Sequence, residues 1–277
     1  MDKQSILFIG GDERQIFCAK HLFRCGYEVS VIGFEEYAHI PSELMVFNNL
    51  KIAIILADVI VLPTPFSIND CIYAPYSAQQ INREDVLKYL ESDKIVFGGK
   101  YDINFSESLK KKHIQHFDFL EQEEIVQKNA YLTAEGTVEK MMGYTPESLF
   151  EKKVLIVGFG RIAKHLIRLL QAFKVSVTVA ARKKSDLTLA KLIGCKAKSI
   201  QQCQDLSGFD YIINTAPAVV FYSAALEQCK GIFLDLAGAA YHTQNYTKLS
   251  ALPGKYAPKS AGECNAQFIA ETIGGAV

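Results

Sequence analysis

Lys153–Val157 is a short apolar run rich in β-branched residues, and it leads directly into Gly158-Phe159-Gly160-Arg161-Ile162-Ala163. Apolar residues then recur at 162, 163, 166, 167, 169 and 170, the spacing of an amphipathic helix running to Phe173. A strand, a G-x-G-x-x-A turn and a helix in that order leave few folds open. The first glycine permits the tight turn and the second removes a side chain where a pyrophosphate approaches. Ala163 is small enough for close helix–strand packing. Backbone N–H groups at the helix start then face the phosphates. The expected cofactor-binding residues of this loop are Gly158, Phe159, Gly160, Arg161 and Ile162.

A second strand, Val175–Ala180, follows that helix and runs into Ala181-Arg182-Lys183. A site for NAD usually places a carboxylate at this strand end to hold the ribose 2′-hydroxyl. Here two cations stand instead, and a 2′-phosphate would gain charge-assisted contacts from them. NADP is therefore expected over NAD, the plain alternative being that Arg182 and Lys183 are solvated turn residues. Two later strands, Phe209–Ile213 and Gly231–Leu236, end in Asn214-Thr215-Ala216-Pro217 and in Asp235-Leu236-Ala237. Asn214, Thr215, Ala216, Pro217, Leu236 and Ala237 are expected on the nicotinamide side, where small and polar residues let a dinucleotide lie flat.

The first half repeats the alternation in a plainer form. Ser5–Gly10, Glu28–Phe34, Asp58–Leu62, Lys94–Phe97 and Ile114–Phe119 read as strands, Glu13–Cys25 as a helix, and Asn82 as the N-cap of another. The fold class is α/β: two Rossmann-like, doubly wound parallel-sheet domains joined by helical linkers. Residues 1–128 form an N-terminal Rossmann- or flavodoxin-like substrate domain, and 129–277 the dinucleotide-binding domain. A linker helix is expected at about 133–150 and a terminal helix at about 260–275, free to cross back onto the first lobe.

Thirty basic and thirty acidic side chains cancel, which argues against a nucleic-acid binder. No apolar run reaches the roughly 18 residues of a membrane span. The longest candidate, from Leu50 to Pro65, is broken by Lys51, Asp58 and Pro63. Met1-Asp2-Lys3-Gln4 enters the first strand without a secretory cleavage pattern, so a cytoplasmic chain is expected. Seven scattered cysteines with no C-x-x-C pair read as reduced thiols, and no metal is expected. His113 and His116 follow three lysines and read as a solvated, basic helix end.

In the first lobe, Gly10-Gly11-Asp12-Glu13-Arg14-Gln15 holds the place of the glycine loop without its pattern, and Asp12 is an awkward neighbour for a pyrophosphate. A polar loop at a strand's carboxyl end suits a substrate instead. Arg14 suits either a substrate carboxylate or a surface ion pair. Pro63-Thr64-Pro65 ends another strand there. Thr133 reads as the N-cap of the linker helix and Glu135 as a first-turn acid, which structure alone would explain. At Pro258-Lys259-Ser260 a lysine stands against the helix dipole, pointing to an anion.

Taken in order, Ile9-Gly10-Gly11-Asp12 with Arg14-Gln15, Val61-Leu62-Pro63, Asn129 with Thr133–Thr137, Gly158–Arg161, Ala181-Arg182, Asn214-Thr215 with Pro217, Asp235-Leu236-Ala237, and Leu252-Pro253-Gly254 with Ala257–Gly262 resemble the dipicolinate synthase A-subunit family nearly end to end. The resemblance implies an NADP-dependent oxidation of a dihydrodipicolinate-type intermediate of the lysine/diaminopimelate pathway to pyridine-2,6-dicarboxylate. It also implies sporulation, a mother-cell cytoplasm, and a second, flavoprotein-like subunit that carries FMN, within a homo- or hetero-oligomer. Asp12, Arg14, Gln15, Pro63, Thr64, Thr133, Lys259 and Ser260 are the expected substrate contacts, and Glu135 and Lys259 the candidate bases. The chain departs from the family at Gly238-Ala239-Ala240-Tyr241-His242, where a Ser-Arg-Pro-Gly-Gly-like stretch and its arginine are absent. Two other readings stay open. One is a different two-lobed NAD(P) dehydrogenase, of 2-hydroxyacid or methylene-tetrahydrofolate type, although His242 lacks the Arg and Glu setting of the former. The other is a nucleotide-binding scaffold for the flavoprotein subunit.

Overall fold

The inner strands of the two sheets alternate between two apolar layers, and that alternation organises each unit. In the computed structural model, which describes residues 4–239 and 241–274, Ile6 and Phe8 point into one core layer and Leu7 and Ile9 into another. Val154 and Ile156, against Leu155 and Val157, divide in the same way. Strands buried on both faces read as unbroken apolar runs, as parallel sheets covered by helices require.

The first unit contains β1 (Ser5–Ile9), α1 (Glu13–Arg24), β2 (Glu28–Ile32), β3 (Met45–Val46), α2 (Leu50–Leu56), β4 (Val59–Val61), the small hairpin β5 (Ser67–Ile68) and β6 (Cys71–Ile72), α3 (Arg83–Tyr89), β7 (Ile95–Gly98), α4 (Ile103–Lys111) and β8 (Gln115–Asp118). Helix α5 (Glu123–Tyr144) carries the chain into the second unit. That unit contains β9 (Lys153–Val157), α6 (Arg161–Ala172), β10 (Ser176–Ala181), α7 (Lys184–Leu192), β11 (Lys196–Ser199), β12 (Tyr211–Asn214), α8 (Ser223–Glu227), β13 (Ile232–Asp235), β14 (Tyr246–Lys248) and α9 (Leu252–Tyr256). The chain ends with α10 (Pro258–Thr272). The sheets run β3-β2-β1-β4-β7-β8 and β11-β10-β9-β12-β13-β14. Every pairing within them is parallel. Counted within its own sheet each has the Rossmann order 3-2-1-4-5-6, so the first is not of the flavodoxin order.

Two expected boundaries move. Thr133 is not an N-cap: its hydroxyl donates to the Asn129 carbonyl at 2.7 Å, one turn back inside α5. The helix starts ten residues earlier than about 133, at Glu123-Glu124, where two acids suit the dipole. It stops at Tyr144, because Pro146 cannot continue it. The second correction concerns the end of the chain. Among the described residues, those from 257 to 274 group with the first unit, and 129–256 form the second. Gly262 explains the docking of α10 on α1, since a Cβ there would collide with the Arg14 carbonyl and crowd the Cys18 amide. Cys264, Ala266, Ile269 and Ala270 join the core beneath α1, and Phe268 meets Phe97 edge-on at 5.9 Å. Burying Ile269 alone contributes about 2–3 kcal/mol, more than a surface ion pair would. The last residue of the expected 260–275 helix, Gly275, and Ala240 of the 238–242 stretch lie outside the described residues. His116 is half-buried on β8, with Nδ1 3.0 Å from the Ile114 carbonyl, and not on a helix end. No helix among the described residues is long and apolar enough to cross a membrane.

Candidate functional site

Side-chain caps separate α1 to α4 from the helices whose starts could hold an anion. Asp12, Asn49, Asn82 and Asp102 each accept a backbone N–H at the start of α1, α2, α3 and α4. Helices α6 and α7 have Gly160 and Lys183 at the N-cap position and no side-chain cap. A helix start without a side-chain cap is of the kind that suits an anion.

The glycine loop is shaped for one. Gly158 has φ +96°, and a Cβ there would lie 2.6 Å from Thr215 Oγ1. Thr215 holds that position by donating its hydroxyl to the Val157 carbonyl at 2.7 Å. Around Gly160, by contrast, an added Cβ would meet nothing within 4 Å. One glycine is required by the fold and the next opens a space over the α6 N-terminus. Phe159 turns inward to the core, and Lys164 lies 5.4 Å over its ring. Gly160 and Arg161 are exposed, and Ile162 is half-buried.

At the other end of the cradle, Ala181 is buried and Arg182, Lys183 and Lys184 are all exposed. Three cations at an uncapped helix start oppose the dipole, an arrangement that an added anion would relieve. Asp186, in the first turn of α7, is the one acid nearby in sequence.

Asn214 and Asp235, at the ends of β12 and β13, are each 0 % exposed. Asn214 Nδ2 donates to Asp235 Oδ1 at 2.8 Å and to the Ala216 carbonyl at 2.9 Å. The amides of Ala237 and Gly238 also donate to Asp235 Oδ1, each at 3.1 Å, and Tyr246 Oη donates to Oδ2 at 2.9 Å. Burial pushes the Asp235 carboxyl up, but these hydrogen bonds outweigh it and hold the group below its ordinary range. Burial and Asp235 together push Tyr246 up to about 12. Asn214 therefore shapes the Ala216-Pro217 and Leu236-Ala237 loops from beneath. The loop residues themselves are half-buried, apart from the exposed Pro217. Asp235 and Tyr246 were not among the expected site residues. The available signal was a charged residue closing the apolar run Ile232–Leu234.

Glu135 is half-buried on α5 and accepts a hydrogen bond from Tyr131, whose hydroxyl it raises. Tyr131 meets His165 of α6 edge-on at 5.6 Å. Burial, and then Arg168, lower the His165 imidazole. Tyr256 rests on Gly136, where a Cβ would lie 3.1 Å from its own Cβ.

In the first unit, Asp12 caps α1 and grips Arg14 through two contacts of 2.8 Å. Arg14 Nη2 also donates to the Thr64 carbonyl at 2.6 Å. The Arg14 guanidinium is thus paired with Asp12 within the first unit. Pro63 packs beside Gly11, and Gln15 is buried at 4 % exposure. Lys259 is 64 % exposed and 3.9 Å from Glu263, one turn along α10, and Ser260 is exposed beside it. A cavity of about 730 Å³ opens between Lys153, Asp210 and Ile232, but these are strand starts, at the opposite sheet edge from the glycine loop. No group of metal-ligating side chains occurs among the described residues.

Two Rossmann-order sheets, one ending in a glycine cradle over an uncapped helix, define a two-domain NAD(P)-dependent oxidoreductase. Residues 119–220 match the D-isomer specific 2-hydroxyacid dehydrogenase NAD binding domain, which makes the cofactor a nicotinamide dinucleotide. Residues 5–120 match the N-terminal domain of the dipicolinate synthase A subunit. Over 288 aligned residues the chain is 26% identical to the dipicolinate synthase A subunit of Bacillus subtilis (strain 168), covering 97% of this chain and 95% of the relative. The crystal structure of that dipicolinate synthase component from Bacillus subtilis superposes with a TM-score of 0.83 at 22% identity, covering 99% of this chain and 96% of the other. Its counterpart from Bacillus halodurans gives 0.86 at 22%, covering 99% and 98%. The chain is similar to the dipicolinate synthase A subunits, the resemblance that its motifs suggest, over 97% of its length.

Proposed function

We propose that this chain is the A subunit of a dipicolinate synthase, which oxidises a dihydrodipicolinate-type ring to pyridine-2,6-dicarboxylate with NADP during sporulation. Likeness to the A-subunit relatives from end to end supports the reaction. The exposed cluster Arg182-Lys183-Lys184, at a strand end without a carboxylate, carries the choice of NADP over NAD.

When bound, NADP would supply the hydride acceptor for this oxidation, which formation of the aromatic ring favours. The remaining work falls to the protein. Gly158, Gly160 and the N–H groups of Arg161 and Ile162 receive the pyrophosphate. Phe159 anchors the loop from the core side, and Arg182 and Lys183 take the 2′-phosphate beside Ala181. Ala216, Pro217, Leu236 and Ala237 line the nicotinamide side, while Asn214 and Thr215 act through the loops that they hold. On the first unit, Asp12, Arg14, Gln15, Pro63 and Thr64 form the substrate side, with Lys259 and Ser260 on α10. Thr133 lies two residues before Glu135 on α5 and is a further substrate contact in this reading. One proton leaves the ring with the hydride, and Glu135 is assigned to receive it, its carboxylate steered by Tyr131. Lys259, exposed on α10 and 3.9 Å from Glu263, is the second base candidate. The expected partner is a second, flavoprotein-like subunit, with FMN on that partner, in the mother-cell cytoplasm.

The test is the near-ultraviolet absorbance of reduced nicotinamide, followed with the heterocyclic substrate and NADP, for this chain alone and with a flavoprotein-like partner. Turnover in either setting is the expected result. Tight NADP binding with no turnover in either setting overturns the assignment.

A further inference from the structure

Three buried polar atoms with no hydrogen-bond partner lie at one edge of the first sheet: Gln15 Nε2, Thr64 Oγ1 and Tyr101 Oη. They come from three neighbouring strand ends, after β1, β4 and β7. Glycines let all three approach the backbone. A Cβ at Gly11 would collide with the Gln15 side chain, one at Gly99 with Thr64 Oγ1, and one at Gly98 with Tyr101 Oη. A buried polar atom left unpaired costs about 1–3 kcal/mol, so three at a single sheet edge call for a reason.

Asp12 and Arg14 match each other's charge. Asp12 holds the guanidinium of Arg14 through Nε and Nη2, and the same Nη2 reaches the Thr64 carbonyl. Arg14 therefore fixes the loop that carries Thr64 and brings no net charge to it. The three orphans are uncharged; burial, then Asp118, push the Tyr101 hydroxyl up, so it stays protonated. Helix α1, of 12 residues, starts at this edge with Gln15 in its first turn.

Resting on the functional reading above, we infer that this edge is a subsite for one carboxylate of the substrate, bound by neutral donors. The Gln15 amide and the Thr64 hydroxyl hydrogen-bond the carboxylate oxygens. Arg14 is a positioning residue that acts through Thr64. Recognition of this kind selects a planar, acceptor-rich group by its shape. In the free protein it leaves the donors unpaired, so affinity is gained at some expense of stability.

That trade makes the inference testable by two readouts at once. Gln15→Met and Thr64→Val each remove an orphan at nearly constant volume, and Thr64→Ser keeps the hydroxyl. Binding of pyridine-2,6-dicarboxylate to the NADP-loaded chain is measured by calorimetry, beside the melting temperature of the free chain. Gln15→Met and Thr64→Val are expected to lose about tenfold or more in affinity. They should melt no lower than wild type, with NADP affinity unchanged, and Thr64→Ser should bind like wild type. Wild-type binding that both variants retain overturns the subsite and leaves the functional reading standing. Lower melting with unchanged affinity overturns it too, because the two side chains are then structural. A wild-type chain that binds NADP but no pyridine dicarboxylate overturns both.

Discussion

Separate alanine substitutions at Gly158 and Gly160 distinguish what the fold needs from what the cofactor needs. At Gly158 the backbone has φ +96°, a region that costs a non-glycine residue about 1–2 kcal/mol. The added methyl would lie 2.6 Å from Thr215 Oγ1, whose hydroxyl is committed to the Val157 carbonyl. Overpacking of that kind adds about 1–3 kcal/mol. Gly158→Ala is therefore expected to lower the melting temperature by on the order of 10 °C. At Gly160 φ is −81° and ψ −166°, extended backbone that alanine adopts, and the new Cβ meets nothing within 4 Å. Alanine caps a helix less well than glycine by about 0.5–1 kcal/mol. Reduced freedom of the unfolded chain offsets about 0.4–1 kcal/mol of that. The fold should not register the change, yet the methyl occupies the space over the α6 N-terminus. Losing one or two charge-assisted contacts, about 1.5–3 kcal/mol, weakens NADP(H) about 10- to 150-fold. Thermal melting of the free chain and a fluorescence titration with NADPH measure the two effects. Gly160→Ala with wild-type affinity refutes the cradle, and Gly160→Ala melting as low as Gly158→Ala refutes the open space.

Arg182→Ala is expected to weaken NADP by about tenfold and NAD hardly at all; an equal loss for both cofactors in paired titrations removes the 2′-phosphate argument. Asp235 is held below its ordinary range, so its contribution to stability is present above the unfolded value near 4 and is lost as pH falls through the lower folded value. Acid unfolding should show that slope in the wild type and lack it in Asp235→Asn. That variant keeps an oxygen for Asn214 and the backbone donors, turns its NH2 to Tyr246, and loses about 2 kcal/mol of charge assistance at neutral pH. Gly262→Ala is expected to destabilise by about 1–3 kcal/mol, because the obstacles are the Arg14 carbonyl and the Cys18 amide, which are backbone and cannot rotate away. A melting temperature unchanged from wild type would show that α1 and α10 adjust freely.

Local chemistry was legible wherever one short segment contained its own explanation. Val154–Ala163 declares a strand, a turn and a helix through residue size and periodicity, and the loop has that form. Asn82 caps α3 as its side chain predicts, and Pro258 stands at the start of α10. The end-to-end order of motifs was enough to place the chain beside the dipicolinate synthase A subunits. Edge strands were less legible. Lys196–Ser199 has no apolar run, and its strand exists only because β10 offers a partner. Thr133 looked like a cap because threonine favours that position, but its hydroxyl can equally bond one turn back inside a helix.

What the sequence determined by itself was therefore the class of each segment and the position of the glycine loop, both set by interactions within a few residues. Tertiary structure alone decided what the polar side chains do. Arg14 could have met a ligand or a neighbour, and only the placement of Asp12 and Thr64 shows that its charge is matched. Asn214 could have faced the cofactor, but Asp235, 21 residues away in sequence, turns it inward. Gln15 and Thr64, far apart in the chain, become a pair of unsatisfied groups only because β1 and β4 are neighbours. Hydrogen bonds and burial depend on partners brought together by the fold, and periodicity along the chain carries no record of them.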